Sequence, residues 1–327
     1  MQRDFHFYAV AVLARTAGFS PKDSITIAYS SQYVDDATES KPIQVGDSYF
    51  DPARTAHFGI FSFDWNVQKL IFIPFHFLPA KKDFFEKGCF VTEADSELAE
   101  YVLQQAIADT SDIRLHRIGI ALHTFADTWA HRGFSGRHDS ENNVSTIKIK
   151  KKSKFRCELI KNIYLDFLPQ IGHCEAGYCP DVPYLHWKCK IDNRQHESNN
   201  VVSFMDAAEK IYQRLSRISK KTAVKSWENL AMDLTTLFSC DEENLDKRCA
   251  NWQKRFGALF PEGSYQYSPN FWRKKAFGVT DEKDVEWDKY SMDKMSKLRY
   301  AGSPSFAESD WVKFHKAARM QRAEVVS

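Results

Sequence analysis

The stretch "ALHTFADTWAHRGFSG", residues 121–136, constrains this chain more than any other. Its apolar residues recur at helical spacing from about 113 to 131, and Gly133 and Gly136 mark where such a helix stops. Within it His123, Asp127 and His131 follow one another at steps of four. Four residues turn an α-helix by about 400° and advance it by ~6 Å, so the three side chains form one slowly drifting polar stripe. His123 and Asp127 are close enough to share an ion. His131 lies ~12 Å along the axis from His123, which suits a second ion with Asp127 bridging the two.

Other groups of the same chemistry are scattered along the chain: His6 in "RDFHF", Asp35 and Asp36, His57 and His173. Ser20-Pro21-Lys22-Asp23 is a strong helix start, with a serine cap, proline at the first position and an acid in the first turn. The helix it opens runs to about residue 35 and ends in two acids, which oppose the helix dipole. A cation is one reason to tolerate them. Buried imidazoles and carboxylates are costly unless paired with each other or with a metal. A mixed set of oxygen and nitrogen donors from several segments suits a catalytic divalent site, zinc first, with manganese or magnesium as alternatives.

The rest of the pattern reads as all-α. Helices are expected at about 6–17, 95–109, 157–169, 202–219, 223–238, 242–258 and 304–323, with no clear strand alternation and no internal repeat. Two functional loops, 36–64 and 132–187, interrupt them. The organisation expected is a metal-binding helical core over 1–215 and a helical extension over 216–327 packed on it. The basic run "KIKKKSKFR" (148–156) reads as a solvated excursion or a contact for phosphate-bearing ligands. Cys174, Cys179 and Cys189 have no strong zinc-finger spacing.

With 45 basic and 43 acidic residues the net charge of +2 says nothing about a nucleic-acid partner. The most apolar stretch, "LIFIPFHFLPA" (70–80), has about half the length of a membrane span and carries two prolines. No transmembrane segment and no signal sequence are expected. An odd count of seven cysteines suits a reducing compartment, so the chain is expected to be cytoplasmic. P-loop, GxSxG and dinucleotide-binding fingerprints are absent.

The motifs "DFH" (4–6), "SQYVDDAT" (31–38), "PFHFLP" (74–79), "LHTFADTWAH" (122–131) and "GHCEAG" (172–177) resemble those of an uncharacterised bacterial family, over about residues 1–215. In ligand order the chain is also similar to the superfamily of zinc-dependent phospholipase C and single-strand-specific nucleases. That resemblance implies a helical fold in which two or three metal ions position a hydroxide and polarise a phosphodiester. Carried over, Asp35 or Asp36, His57, His123 and Asp127 form a first site, His6 with Asp127 another, and His131 with His173 a third. The superfamily uses an N-terminal tryptophan through its own amine; this chain begins Met-Gln-Arg, and Asp4 is the candidate substitute. Glu175 or Asp181 stands for the glutamate that closes the superfamily's set.

The function so implied is a metal-dependent phosphodiester hydrolase acting on a nucleotide, a nucleic acid or a phospholipid. Asp35 or Asp36 orients the attacking oxygen or takes its proton, and a metal or Arg132 stabilises the leaving oxygen. Two other readings stand beside it: a non-catalytic helical protein braced by structural metals, and an HD-type phosphohydrolase using His138-Asp139.

Overall fold

The helix starts legible in the sequence are realised through side-chain caps. A computed structural model of the chain describes residues 1–39, 41–57, 60–150, 170–219, 221–281, 299–300 and 305–326. A π-helical turn, Asp4–Ala9, runs into α1 (Val10–Thr16), and every residue of that turn is buried. Ser20 then caps α2 (Pro21–Tyr33), accepting a hydrogen bond from the Asp23 N–H at 3.1 Å. Ser96 does the same for α3 (Glu97–Ala108), from the Ala99 N–H at 3.3 Å.

The helix carrying the His-Asp-His stripe, α4 (Arg114–Ala130), is central: all residues from His116 to Ala130 are buried. Neighbours cover it on every side, α2, α3, α5 (Asn200–Ile218) and, near the end of the chain, a helix over Asp310–Val326. The closest approach is to α2 at Gly119, where a Cβ would meet the Ile27 carbonyl oxygen at 2.2 Å. Glycine is required there because the two backbones touch. Three further helices, α6 (Trp227–Phe238), α7 (Leu245–Phe256) and α8 (Phe271–Phe277), precede that last helix, α9. One hydrophobic core runs continuously from Phe5 and Phe7 through Ile120 and Leu122 to Trp252, Trp311 and Phe314.

The expectation of an all-α chain is overturned: among the described residues helix makes up 55% and strand 11%, in two small sheets. Within the loop expected to be irregular, β1 (Ile43–Val45) and β2 (Ser48–Phe50) form an antiparallel hairpin. The second sheet is antiparallel in the order β3 (Val144–Ile149), β4 (His186–Ile191), β5 (Arg194–Asn199). A short β6 (Arg299–Tyr300) lies parallel to β1. In β4 burial alternates, with Trp187, Cys189 and Ile191 facing a second apolar cluster that includes Phe77, Phe134 and Val144. Asp192 and Asn193, at φ of 47° and 61°, make the tight turn into β5. These strands escape a helix-biased reading because they are short, and in β4 the outward positions are His186, Lys188 and Lys190. The stretch 151–169, with most of the basic run and the expected helix at 157–169, lies outside the described residues.

Candidate metal centre

Four segments converge on the inner face of α4: the N-terminal turn, the end of α2, the short helical run ending at Phe75, and the loop 171–181. Their side chains make three adjoining groups, His6–His123–Asp127, Asp35–His76–His123 and His131–His173–Asp181. Within each group the donor atoms lie within 4.8 Å of one another, the reach of a single ion. His6, His123 and Asp127 are almost completely buried, whereas Asp35, His76, His173 and Asp181 are partly open. The open members line a cleft of about 180 Å³ together with Met1, Ala56, His57, Phe72 and Phe77.

Asp127 is the hub. Its Oδ1 lies 3.1 Å from His6 Nε2 and 2.6 Å from the amino group of Met1, and its Oδ2 lies 3.2 Å from His123 Nε2. The rings of His6 and His123 stack with centroids 3.8 Å apart. Asp35 Oδ1 is 3.7 Å from His123 Nε2 and 3.8 Å from His76 Nδ1. On the far side Asp181 faces His131 Nε2 through Oδ1 and His173 Nε2 through Oδ2, each at 3.3 Å. The Met1 amino group joins the halves, 3.1 Å from Asp181 Oδ1.

Three of the histidines have their second ring nitrogen committed to a backbone carbonyl. His76 Nε2–H donates to Thr55 at 2.8 Å, His131 Nδ1–H to His76 at 2.7 Å, and His173 Nδ1–H to Gly177 at 2.9 Å. A carbonyl only accepts, so in each neutral ring the nitrogen facing the cluster carries a lone pair. Those lone pairs point at carboxylate oxygens. Both nitrogens of His6 and Nδ1 of His123 are buried without a hydrogen-bond partner. Lone pairs facing carboxylates repel unless a proton or a cation lies between them, and a carbonyl on the outer nitrogen is the usual support of a metal-binding histidine. The donor set of histidine nitrogens and carboxylate oxygens fits divalent zinc or manganese.

The electrostatics agree. Burial disfavours charge on Asp127, but the Met1 amino group and His131, His123 and His6 outweigh it and hold its carboxyl well below the usual range. Asp181 is likewise lowered against its burial, by Met1 and His173. Asp35 is raised, chiefly by burial. Burial, with the neighbouring imidazole, pushes His6 well down, and burial lowers His173. On His76 burial is overcome by Asp127 and Asp35, which draw positive charge onto the ring and raise its pKa. Three carboxylates thus face one ammonium and five imidazoles, of which His6 and His173 resist protonation.

Of the residues singled out in the sequence, His6, Asp35, His123, Asp127, His131 and His173 meet here. Asp36 does not: its Oδ2 accepts from Tyr267 Oη at 2.7 Å and from Gln32 Nε2 at 3.2 Å. Gln32 Nε2 also reaches Asp35 Oδ2 at 3.3 Å, so Asp36 helps to fix its neighbour. Asp4 turns the other way, into a buried ion pair with Arg248 at 2.6 Å, and it is the Met1 amino group that stands among the carboxylates. His57 belongs to the cleft wall but to none of the three groups; His76, from "PFHFLP", takes that place. Arg132 is exposed and donates to the Glu197 carbonyl at 3.1 Å, outside the cleft lining. Glu175 accepts from the Val144 N–H at 2.6 Å, which leaves Asp181 as the closing carboxylate. His138 is exposed and Asp139 pairs with Arg137, so the HD dipeptide lies outside the centre. Cys179 and Cys189 are buried and Cys174 exposed, and among the described residues no cysteine joins a metal-holding group.

Among the described residues no helix is long and apolar enough to cross a membrane. No curated protein and no solved structure matches the chain. Over residues 1–327, its whole given length, the sequence matches a family of unknown function (DUF6765), and to that family it belongs.

Proposed function

We propose that the chain is a metal-dependent hydrolase of phosphodiesters, with two or three divalent ions held by the three adjoining groups. The observation that carries this reading is the set of His76, His131 and His173, each anchored on a backbone carbonyl with its other nitrogen turned to Asp35, Asp127 or Asp181. Divalent ions bound there lower the pKa of water and stabilise charge developing on a phosphoryl oxygen. His131, His173 and Asp181, together with His76 and Asp35, front the cleft where a phosphoryl group would enter. Asp35 is the carboxylate suited to take the proton of the attacking water: it is the most exposed of the three acids of the centre, and burial raises its pKa. Gln32 holds its other oxygen in place. Phe72 and Phe77 form the apolar side of the same cleft and narrow the access of bulk water. The products would be a phosphomonoester and an alcohol, from a nucleotide, a nucleic-acid strand or a phospholipid.

A purely structural role has one observation in its favour, the complete burial of His6, His123 and Asp127, which resembles a closed site. Elemental analysis of the native protein and of Asp127→Asn, purified identically, comes first. Two or more zinc or manganese ions per chain, falling by at least one in the variant, are expected. Phosphodiester turnover lost in parallel supports the hydrolase. Retained metal without turnover on any phosphodiester would leave the structural role, and no metal even with excess divalent ions would overturn both.

A further inference from the structure

Three arginines beside the metal cleft, two of them half-buried and one exposed, are partnered differently from the other arginines packed into the fold. Arg117 pairs with Asp109 and Glu324, Arg214 with Asp95 and Glu100, Arg248 with Asp4, and Arg273 with Glu39. Among the described residues Arg54, Arg319 and Arg322 have no such partner. Arg319 and Arg322 stand three residues apart on α9 and share a face. Arg322 donates through Nη2 to the Arg54 carbonyl, Arg319 through Nη1 to the Asp51 carbonyl at 2.7 Å, and Arg54 through Nε to the Ala56 carbonyl at 3.2 Å. The guanidiniums of Arg319 and Arg322 also lie over the rings of Phe50 and Phe75, 5.5 and 5.6 Å from their centroids.

Every one of these partners is a carbonyl or an aromatic ring. Among the described residues none of the three makes an ion pair, and the acid felt at Arg322 is the exposed Asp51. Arg54 Nη2 and Arg322 Nε are buried without a hydrogen-bond partner. Burial, with Arg319 and Arg54 close by, brings the Arg322 guanidinium down to about 10. Guanidiniums gathered in this way repel one another and leave donors unused, and the fork of N–H groups each presents is matched to a tetrahedral oxyanion.

We infer that Arg54, Arg319 and Arg322 form a binding site for a phosphate-type oxyanion. The site adjoins the metal centre. Arg54 is bonded to Thr55, whose carbonyl anchors His76, and Ala56 and His57 line the cleft. Phe75, beneath Arg322, precedes His76 in the chain. Three residues of extended chain span at most ~10 Å, so the backbone of Arg54 lies within that reach of His57 in the cleft wall. One source of the group is a second phosphate of the molecule being hydrolysed, an assignment that rests on the phosphodiesterase reading. The other source is a free phosphate or sulfate ion.

The test starts with metal-free Asp127→Asn protein, in which the metal centre cannot hold the anion. Its melting temperature is followed against sodium sulfate at constant ionic strength, set with sodium chloride. A saturable rise is expected, with half-saturation at least tenfold higher when Arg54→Gln and Arg322→Gln are added. Because Arg54 and Arg322 are half-buried and also hold the chain together, the exposed Arg319→Gln serves as a second variant; it should weaken sulfate binding about tenfold, with a smaller loss of melting temperature in chloride than the other two substitutions cause. Equal responses in all variants, or no response to sulfate beyond that to chloride, would mean that the arginines only clamp the 51–56 segment to α9, and would overturn the site. This arm needs no enzymatic activity, so it can succeed where the hydrolase reading fails. A second arm separates the sources with native, metal-loaded protein. A rise in KM confined to a dinucleotide bearing a terminal phosphate, and absent for bis(4-nitrophenyl) phosphate, assigns the site to the substrate. Sulfate binding lost in Arg319→Gln with both KM values unchanged assigns it to a free anion.

Discussion

Asp127 and Asp36 are both acids, yet they do opposite work, and the difference lies in what surrounds each. Asp127 is held ionised among imidazoles and an ammonium, whereas Asp36 is bound by Gln32 and Tyr267 and acts on the centre through its neighbour. Outer contacts of this kind tune metal sites by about 10–100-fold in affinity. Tyr267→Phe is therefore expected to weaken zinc binding by roughly tenfold, with an unchanged far-ultraviolet circular dichroism spectrum; competition with a chromophoric chelator measures it. An unchanged affinity would limit Tyr267 to packing. Arg248 is the second residue whose loss should be felt. It donates to Asp4 at 2.6 Å, to Gln2, and to the carbonyls of Glu242 and Glu243, so it fastens the segment that begins at Met1. Arg248→Met leaves Asp4 buried and unpaired, a loss of about 3–5 kcal/mol in urea unfolding. Adding Asp4→Asn should restore part of it.

Among the elements, α4 is the one the centre cannot do without, because it supplies His123, Asp127 and His131 and packs against α2, α3, α5 and α9. Its place is set by Gly119, where α2 lies against it. On an exposed helix, glycine to alanine would gain about 1 kcal/mol. Here the added methyl meets a carbonyl oxygen of α2, so Gly119→Ala is expected to cost about 1–3 kcal/mol, and to lower metal affinity as Asp35 shifts with the end of α2. Thermal unfolding and the chelator competition check the two effects separately. The chain after residue 215 supplies Tyr267, Arg248, Arg319 and Arg322, all of which act on the N-terminal half.

At the scale of the whole molecule, buried histidines make stability depend on pH. His315, fully buried on α9, is lowered by its burial from 6.5 to about 3. Between those values the unfolded chain takes up a proton that the native protein does not. Its contribution to stability is thus present above pH 6.5 and is lost as pH falls towards 3, at up to ~1.4 kcal/mol per pH unit. Urea unfolding of the native protein and of His315→Gln at several pH values should show the shallower slope in the variant; parallel slopes would exclude His315 as a source. Metal should act on the same equilibrium, since ions bound only to the folded state stabilise it by about 2.7 kcal/mol at a hundredfold excess over Kd. A chelator is then expected to lower the melting temperature of the native protein by more than that of Asp127→Asn.

Local chemistry alone was enough for much of this protein. Periodicity and caps located most of the long helices, since Ser20 and Ser96 act on backbone groups within three residues. The step of four placed His123, Asp127 and His131 on one stripe, and nothing distant was needed to see it. The short strands of the 43–50 and 186–199 hairpins were hidden by their length, although Trp187, Cys189 and Ile191 do alternate. What only the tertiary structure decided was partnership. Whether Asp35 or Asp36 faces the centre depends on Tyr267, some 230 residues away along the chain. Whether Asp4 is a ligand depends on Arg248, and His76 is separated from a core histidine only by where Thr55 and Asp127 stand. A side chain's type and spacing state what it can bind; its burial and its partner across the fold settle what it does bind.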